Sequence, residues 1–171
     1  KDVTAIAQLD PQARDLEGYL FPDTYAITRT ASAAGLVGLM VDRFKGAYQA
    51  AVDAAPRTDT LTMREVVTLA SLIEKETALP AERPRIGGVF VRRLRLGMRL
   101  QSDPTVIYGL GAAYDGDIRT RDLRGDTPYN TYTRDGLPPT PIALPGEAAL
   151  RAATNPDDTG AIFFVATGEP N

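Results

Sequence analysis

The 171-residue chain has no cysteine and no histidine. The first absence excludes disulfide staples, thiolate zinc sites and cysteine nucleophiles. The second removes the Ser-His-Asp triad, histidine-ligated metals and imidazole acid–base chemistry. Any catalysis must therefore use carboxylates, tyrosine, lysine or backbone dipoles. Long apolar runs are missing too. The longest are Leu36 to Val41, which contains Gly38, and Ala161 to Ala166, far short of the ~20 residues of a membrane helix. No basic stretch followed by an apolar one stands at Lys1, so the expectation is a cytoplasmic, a processed or an excised chain. An excess of positive charge is also lacking: 19 Lys and Arg face 22 Asp and Glu, a formal net charge of −3. This argues against nucleic acid as a partner, because that affinity rests on neutralising phosphates. No Gly-rich phosphate loop or EF-hand loop occurs. With 43% hydrophobic and 24% charged residues, the chain has the balance of one packed globular domain.

The first third is rich in alanine, the last 70 residues or so in glycine and proline. Leu16 to Tyr25 is aromatic, contains Gly18 and Pro22, and reads as an extended or turn segment. Leu36, Leu39, Met40, Phe44 and Val52 recur at helical spacing, which predicts a long helix within Ser32 to Ala55, ended by Pro56. Thr62 with Glu65 is a capping-box pattern opening a second helix that stops before Pro80. A third runs from about Arg83 to Arg95, with Gly97 as its stop, and a short one spans Glu147 to Ala153. Met98 to Ser102 alternates like a strand, Asp103-Pro104-Thr105 reads as a turn or helix start, Asp115-Gly116 signals a hairpin, and Ile162 to Val165 reads as a strand. The expected fold class is α+β, a helical half packed against a loop-rich half with a small, mainly antiparallel sheet.

Three groups of residues could carry chemistry. Glu74 and Glu76 flank Lys75 near the end of the second helix, each ~80° from the centre of its apolar stripe and on opposite sides. Periodicity does not choose between them. A partly buried carboxylate at a helix C-terminus faces the negative end of the helix dipole, which raises its pKa and suits it to act as a general acid. Arg83, Arg85, Arg92, Arg93, Arg95 and Arg99 form a local basic segment, either a solvated face or a set of forks for substrate carboxylates. Tyr129, Asn130 and Tyr132, followed by the proline-rich Gly136 to Ile142, combine aromatic rings with hydroxyl and amide donors that suit a sugar.

Together, the strings Leu16 to Tyr25, Ala70 to Thr77, Arg95 to Gly109, Pro128 to Tyr132 and Gly136 to Ile142 closely resemble the YceG-like endolytic murein transglycosylases (MltG), in the family's order and over roughly Leu16 to Ala166. The resemblance implies an enzyme that cleaves the β-1,4 bond between N-acetylmuramic acid and N-acetylglucosamine within peptidoglycan strands and leaves a 1,6-anhydromuramyl end. It implies a single catalytic domain over residues 1–171, shorter than the family at both ends: without the N-terminal membrane anchor, the LysM-like module or the C-terminal segment. It places Glu74 as the catalytic residue, with Glu76 as fallback. Glu76, Arg99, Gln101, Asp103, Tyr129, Asn130 and Tyr132 become candidate substrate contacts, and Asn130, Tyr129, Gln101 and the substrate's own acetamido group candidates to stabilise developing positive charge. No cofactor or metal is expected, because the muramyl C6 hydroxyl serves as nucleophile and a single carboxylate can act as acid and then base. Glycan strands are the implied substrate, peptidoglycan synthases the implied neighbours, and the outer face of a bacterial inner membrane the implied location, reached through an anchor absent from this chain.

Two other readings compete: a glycan-binding module without turnover, and a muramidase using Asp103 as second carboxylate. A pyridoxal-phosphate lyase is disfavoured, since only Lys1, Lys45 and Lys75 could form the Schiff base and no phosphate loop accompanies them.

Overall fold

A computed structural model describes residues 3–55 and 61–164. Among the described residues six α-helices carry the fold: α1 (Ala33–Asp53), α2 (Met63–Glu76), α3 (Arg83–Arg95), α4 (Asp103–Leu110), α5 (Thr120–Arg124) and α6 (Glu147–Thr154). Each start has a local cause. Ser32 caps α1 by accepting from the Gly35 N–H at 3.1 Å. Thr62 and Glu65 close the reciprocal box at the start of α2, which satisfies donors that a first helical turn leaves orphaned. Past α3, Gly97 adopts φ +65° and the chain turns back through Met98 N–H to Arg93 O at 2.8 Å.

The core forms where α6 packs against α1, α2 and α3. The inward face of α6 is small, Ala149, Leu150, Ala152 and Ala153, all at most 3% exposed, so neighbouring backbones approach closely. At Gly87 an added Cβ would lie 2.6 Å from the Ala152 carbonyl oxygen, and at Gly88 only 1.9 Å from that of Asp157. Only glycine fits there. Phe44, Leu69, Leu72, Ile73 and Phe90 fill the centre at 0% exposure. Tyr19 closes one side: it donates to the buried Asp10, whose carboxylate also meets Arg64 at 3.0 Å.

The expected sheet is absent, and this corrects the α+β expectation: the described residues contain helices and no strand. Around Met98 to Ser102 burial does alternate, with Leu100 and Ser102 buried and Gln101 exposed. The backbone groups that a ladder would pair are taken otherwise. Arg93 donates to the carbonyls of Arg99 and Leu100 at 3.4 and 2.7 Å, the Gln101 N–H meets the Thr131 carbonyl, and the Ser102 N–H meets the Thr131 hydroxyl. Ile162 to Phe164 is likewise no strand. The Ile162 carbonyl accepts from Arg93 Nε at 2.8 Å, and Phe163 and Phe164 stay 63% and 40% exposed. Val165 and Pro56 lie outside the described residues. Asp115-Gly116 is a bend leading towards α5, where Asp115 pairs with Arg119 at 2.7 Å, and no hairpin forms.

Candidate functional site

Glu74 and Glu76 leave the end of α2 in different directions and meet different partners. Glu74 Oε1 accepts from Arg83 Nη2 at 2.6 Å, and its Oε2 accepts from the Gly146 N–H at 3.0 Å. Arg83 begins α3 and Gly146 caps α6, so this carboxylate ties three helices together. Both oxygens are occupied by donors.

Glu76 meets a different surrounding. Its Oε2 accepts from the Ser102 hydroxyl at 3.0 Å, it has no ion-pair partner among the described residues, and Asp103 lies beside it. Burial raises its pKa above the ordinary carboxylate range; the Asp103 charge adds to the rise and the Ser102 bond offsets part of it. Tyr132 completes the group by donating to Asp103 Oδ1 at 2.5 Å. Burial, the bond to Asp103 and the negative charges of Asp103 and Glu76 all raise the tyrosine pKa, so its hydroxyl stays protonated as a donor.

The loop that builds this cluster is pinned from several sides. Gln101 takes φ +52°, the left-handed region, though it is not glycine. The turn is held by Arg93 on the Leu100 carbonyl and by Thr105 Oγ1, which bonds the Ser102 carbonyl at 2.7 Å and lies 2.9 Å from the Thr131 hydroxyl. This strained corner brings the Ser102 hydroxyl onto Glu76 and starts α4 at Asp103. Arg99 pairs with Asp135 at 3.1 Å and donates to the Tyr132 carbonyl at 3.0 Å.

Of the sequence-derived residues, the fold gathers Glu76, Asp103 and Tyr132, with Gln101 and Arg99 adjoining. It separates the rest. Tyr129 lies 2.8 Å from Thr140 through its hydroxyl and packs its ring 4.8 Å from Tyr108. Asn130 is 1% exposed; its amide donates to the carbonyls of Asp122, Leu123 and Gly125, and its oxygen accepts the Tyr132 N–H. It shapes the loop from inside. The sequence does not reveal Ser102 as a Glu76 donor or Arg83 as a Glu74 partner. Ser102 stands between the candidates Gln101 and Asp103, and that adjacency is the signal that points to it. Among the described residues no cluster of acidic side chains is arranged to hold a metal ion, and no helix is long and apolar enough to cross a membrane.

A model of the YceG-like family matches residues 2–171. The chain belongs to the YceG-like family. It is similar to the endolytic murein transglycosylase of Bacillus subtilis (strain 168), 38% identical over 152 residues that make up 88% of this chain and 42% of that protein. It is also similar to the endolytic murein transglycosylase of Streptococcus pneumoniae serotype 2, 35% identical over 88% of this chain and 28% of that protein. The YceG-like chain thus spans less than half the length of these curated relatives. Among solved structures, a yceG-like protein from Listeria monocytogenes superposes with a TM-score of 0.76 at 36% identity, covering 89% of this chain and 50% of that one.

Proposed function

We propose that residues 1–171 of this YceG-like protein form the catalytic domain of an endolytic murein transglycosylase, which cleaves the MurNAc-β-1,4-GlcNAc bond and leaves 1,6-anhydroMurNAc ends. The relatives' names support the reaction class. The observation that carries the chemistry is Glu76: a part-buried carboxylate without a cation, its pKa raised, at the meeting point of α2, α4 and the Tyr132 loop.

A general acid must hold a proton at working pH and have an oxygen free to deliver it. Glu76 fits these demands better than Glu74: burial raises its pKa and Ser102 occupies only its Oε2, whereas Glu74 has one oxygen on a guanidinium and the other on a backbone N–H. We therefore assign the acid role to Glu76 and give Glu74, which the resemblance had favoured, a positioning role. Protonated Glu76 donates to the glycosidic oxygen as the C1–O bond breaks. The resulting carboxylate then takes the proton of the muramyl C6 hydroxyl while that oxygen bonds to C1. The proton returns to Glu76, no water is consumed, and the two products together contain the atoms of the substrate. Tyr132 and Asp103 stand beside the reacting centre, where the Asp103 charge favours an oxocarbenium-like transition state.

Asp103 beside Glu76 also supports a second reading, a two-carboxylate muramidase that releases reducing ends. In the first reading the substrate is the glycan strand and the place of action is where murein lies, outside the cytoplasmic membrane and beside the synthases that make it. Mass spectrometry of products from uncrosslinked glycan strands tests the proposal. Anhydro ends support it, reducing ends support the muramidase, and intact strands that are nonetheless bound leave a glycan-binding module.

A further inference from the structure

The N-terminal half of α2 borders a feature that the proposed chemistry does not use. A recess of about 330 Å³ opens there between Leu61, Leu94, Leu137 and Pro138, with Thr68 in its lining. Thr68 is 1% exposed, yet its hydroxyl has no hydrogen-bond partner. A buried hydroxyl left unpaired destabilises a fold, and native proteins keep few of them. The lining charges are already engaged: Arg64 meets Asp10 and the Pro139 carbonyl, and Glu65 closes the capping box of α2. What the recess offers a ligand is an apolar wall and one hydroxyl.

Its position relates it to the Glu76 site. At ~100° and ~1.5 Å per residue, Glu65 at the edge of the recess and Glu76 lie within about 20° of one helix face and roughly 16 Å apart. One loop walls both places, since Tyr132 belongs to the Glu76 cluster and Leu137 and Pro138 to the recess. On the same loop, between Tyr132 and Leu137 in the chain, Asp135 pairs with Arg99, which also donates to the Tyr132 carbonyl; the Arg99 and Asp135 side chains are 51% and 75% exposed and therefore free to exchange partners at little cost.

We propose that this recess is a subsite for the peptide substituent of the glycan strand cleaved at Glu76. The inference rests on the transglycosylase reading and deepens it. An extended peptide covers about 3.3–3.6 Å per residue, so a stem of four or five residues that starts at a muramyl unit beside Glu76 reaches the recess. There an apolar side chain packs against Leu94 and Leu137, and the Thr68 hydroxyl donates to a peptide carbonyl. Arg99, on the way, meets a stem carboxylate in exchange for Asp135.

The test compares turnover of uncrosslinked strands that carry stems with turnover of the same strands stripped of stems by an amidase, in the wild-type protein and in Thr68→Val. Valine copies the shape of threonine and costs the empty protein no hydrogen bond, so the variant folds. The expected result is a wild-type preference for stem-bearing strands of about tenfold in kcat/KM. Thr68→Val lowers that preference about fivefold through KM. Equal turnover of both strands by the wild type, or an unchanged preference in the variant, overturns the subsite. If the wild type makes no anhydro product from either strand, the transglycosylase reading has failed. Titration with free stem tetrapeptide then decides the recess alone: NMR shifts confined to Thr68, Leu94 and Leu137 support it, and their absence rejects it.

Discussion

Replacing Glu74 by glutamine should damage the fold, and the structure says by how much. The side chains of Glu74 and Arg83 are 24% and 11% exposed and meet at 2.6 Å. Removing the carboxylate charge leaves a buried guanidinium whose Nε already has no partner. Breaking one side of a buried pair costs about 3–5 kcal/mol. Partial exposure of Glu74 and the amide oxygen that can still accept from Gly146 put Glu74→Gln near the lower end, about 3 kcal/mol. In Glu74→Ala the Gly146 N–H loses its acceptor as well, which adds ~1 kcal/mol or more. For a domain of this size each kcal/mol moves the melting temperature by about 2–4 °C, so Glu74→Gln should melt roughly 6–12 °C lower. Adding Arg83→Met removes the stranded charge and should recover at least ~1 kcal/mol, a coupling that a double-mutant cycle reads directly. Calorimetry or urea titration is the assay. If Glu74→Gln melts within about 1 °C of wild type, or Arg83→Met brings no recovery, the ion pair does not join the three helices as described.

Glu76→Gln should instead preserve the melting temperature near pH 4 and raise it at neutral pH. The folded-state pKa of Glu76 lies above its ordinary value of 4.5, so its stabilising share is complete below that value and is lost as pH rises through the raised one; glutamine removes the loss, and melting curves from pH 4 to 8 check it. Asp103→Asn removes the neighbouring charge that helps lift the Glu76 pKa, so the alkaline fall in the rate, where the acid loses its proton, should move to lower pH in a kcat profile. Asn130→Ala deletes a buried amide that holds three carbonyls and the Tyr132 N–H; a loss of about 2–4 kcal/mol in urea titration is expected, with reduced turnover because Tyr132 is released. Gly88→Ala sets a Cβ 1.9 Å from the Asp157 carbonyl oxygen; the chain after α6 must move, and a melting temperature within 1 °C of wild type would contradict the packing described.

The helices were legible wherever sequence signals are local. Thr62 with Glu65 marks the start of α2, Ser32 that of α1, and Gly97 the end of α3, and each acts through bonds within a few residues. Met98 to Ser102 has a strand's alternation but, among the described residues, no partner strand, so the alternation suggests a sheet that the fold does not build. Arg93, within the basic segment, satisfies the carbonyls of Leu100 and Ile162, two segments far apart in the chain, and periodicity carries no information about where a guanidinium reaches. Glu74 and Glu76 were equivalent for the same reason. What separates them is Arg83 and Gly146 on one side and Ser102 and Asp103 on the other, and tertiary packing alone puts those residues there. Tyr129, Asn130 and Tyr132 share one short string, yet the loop turns them towards three different surroundings.

The central claim is that Glu76 delivers the proton and Glu74 holds the helices. Its most direct test is mass spectrometry of the products from uncrosslinked glycan strands, run side by side with wild type, Glu76→Gln and Glu74→Gln, each at a temperature where it is folded. The account predicts 1,6-anhydro ends from wild type, none above background from Glu76→Gln since acid and base roles are each worth about 10²–10⁴-fold, and the same anhydro product from folded Glu74→Gln. A silent Glu74→Gln beside an active Glu76→Gln would contradict it.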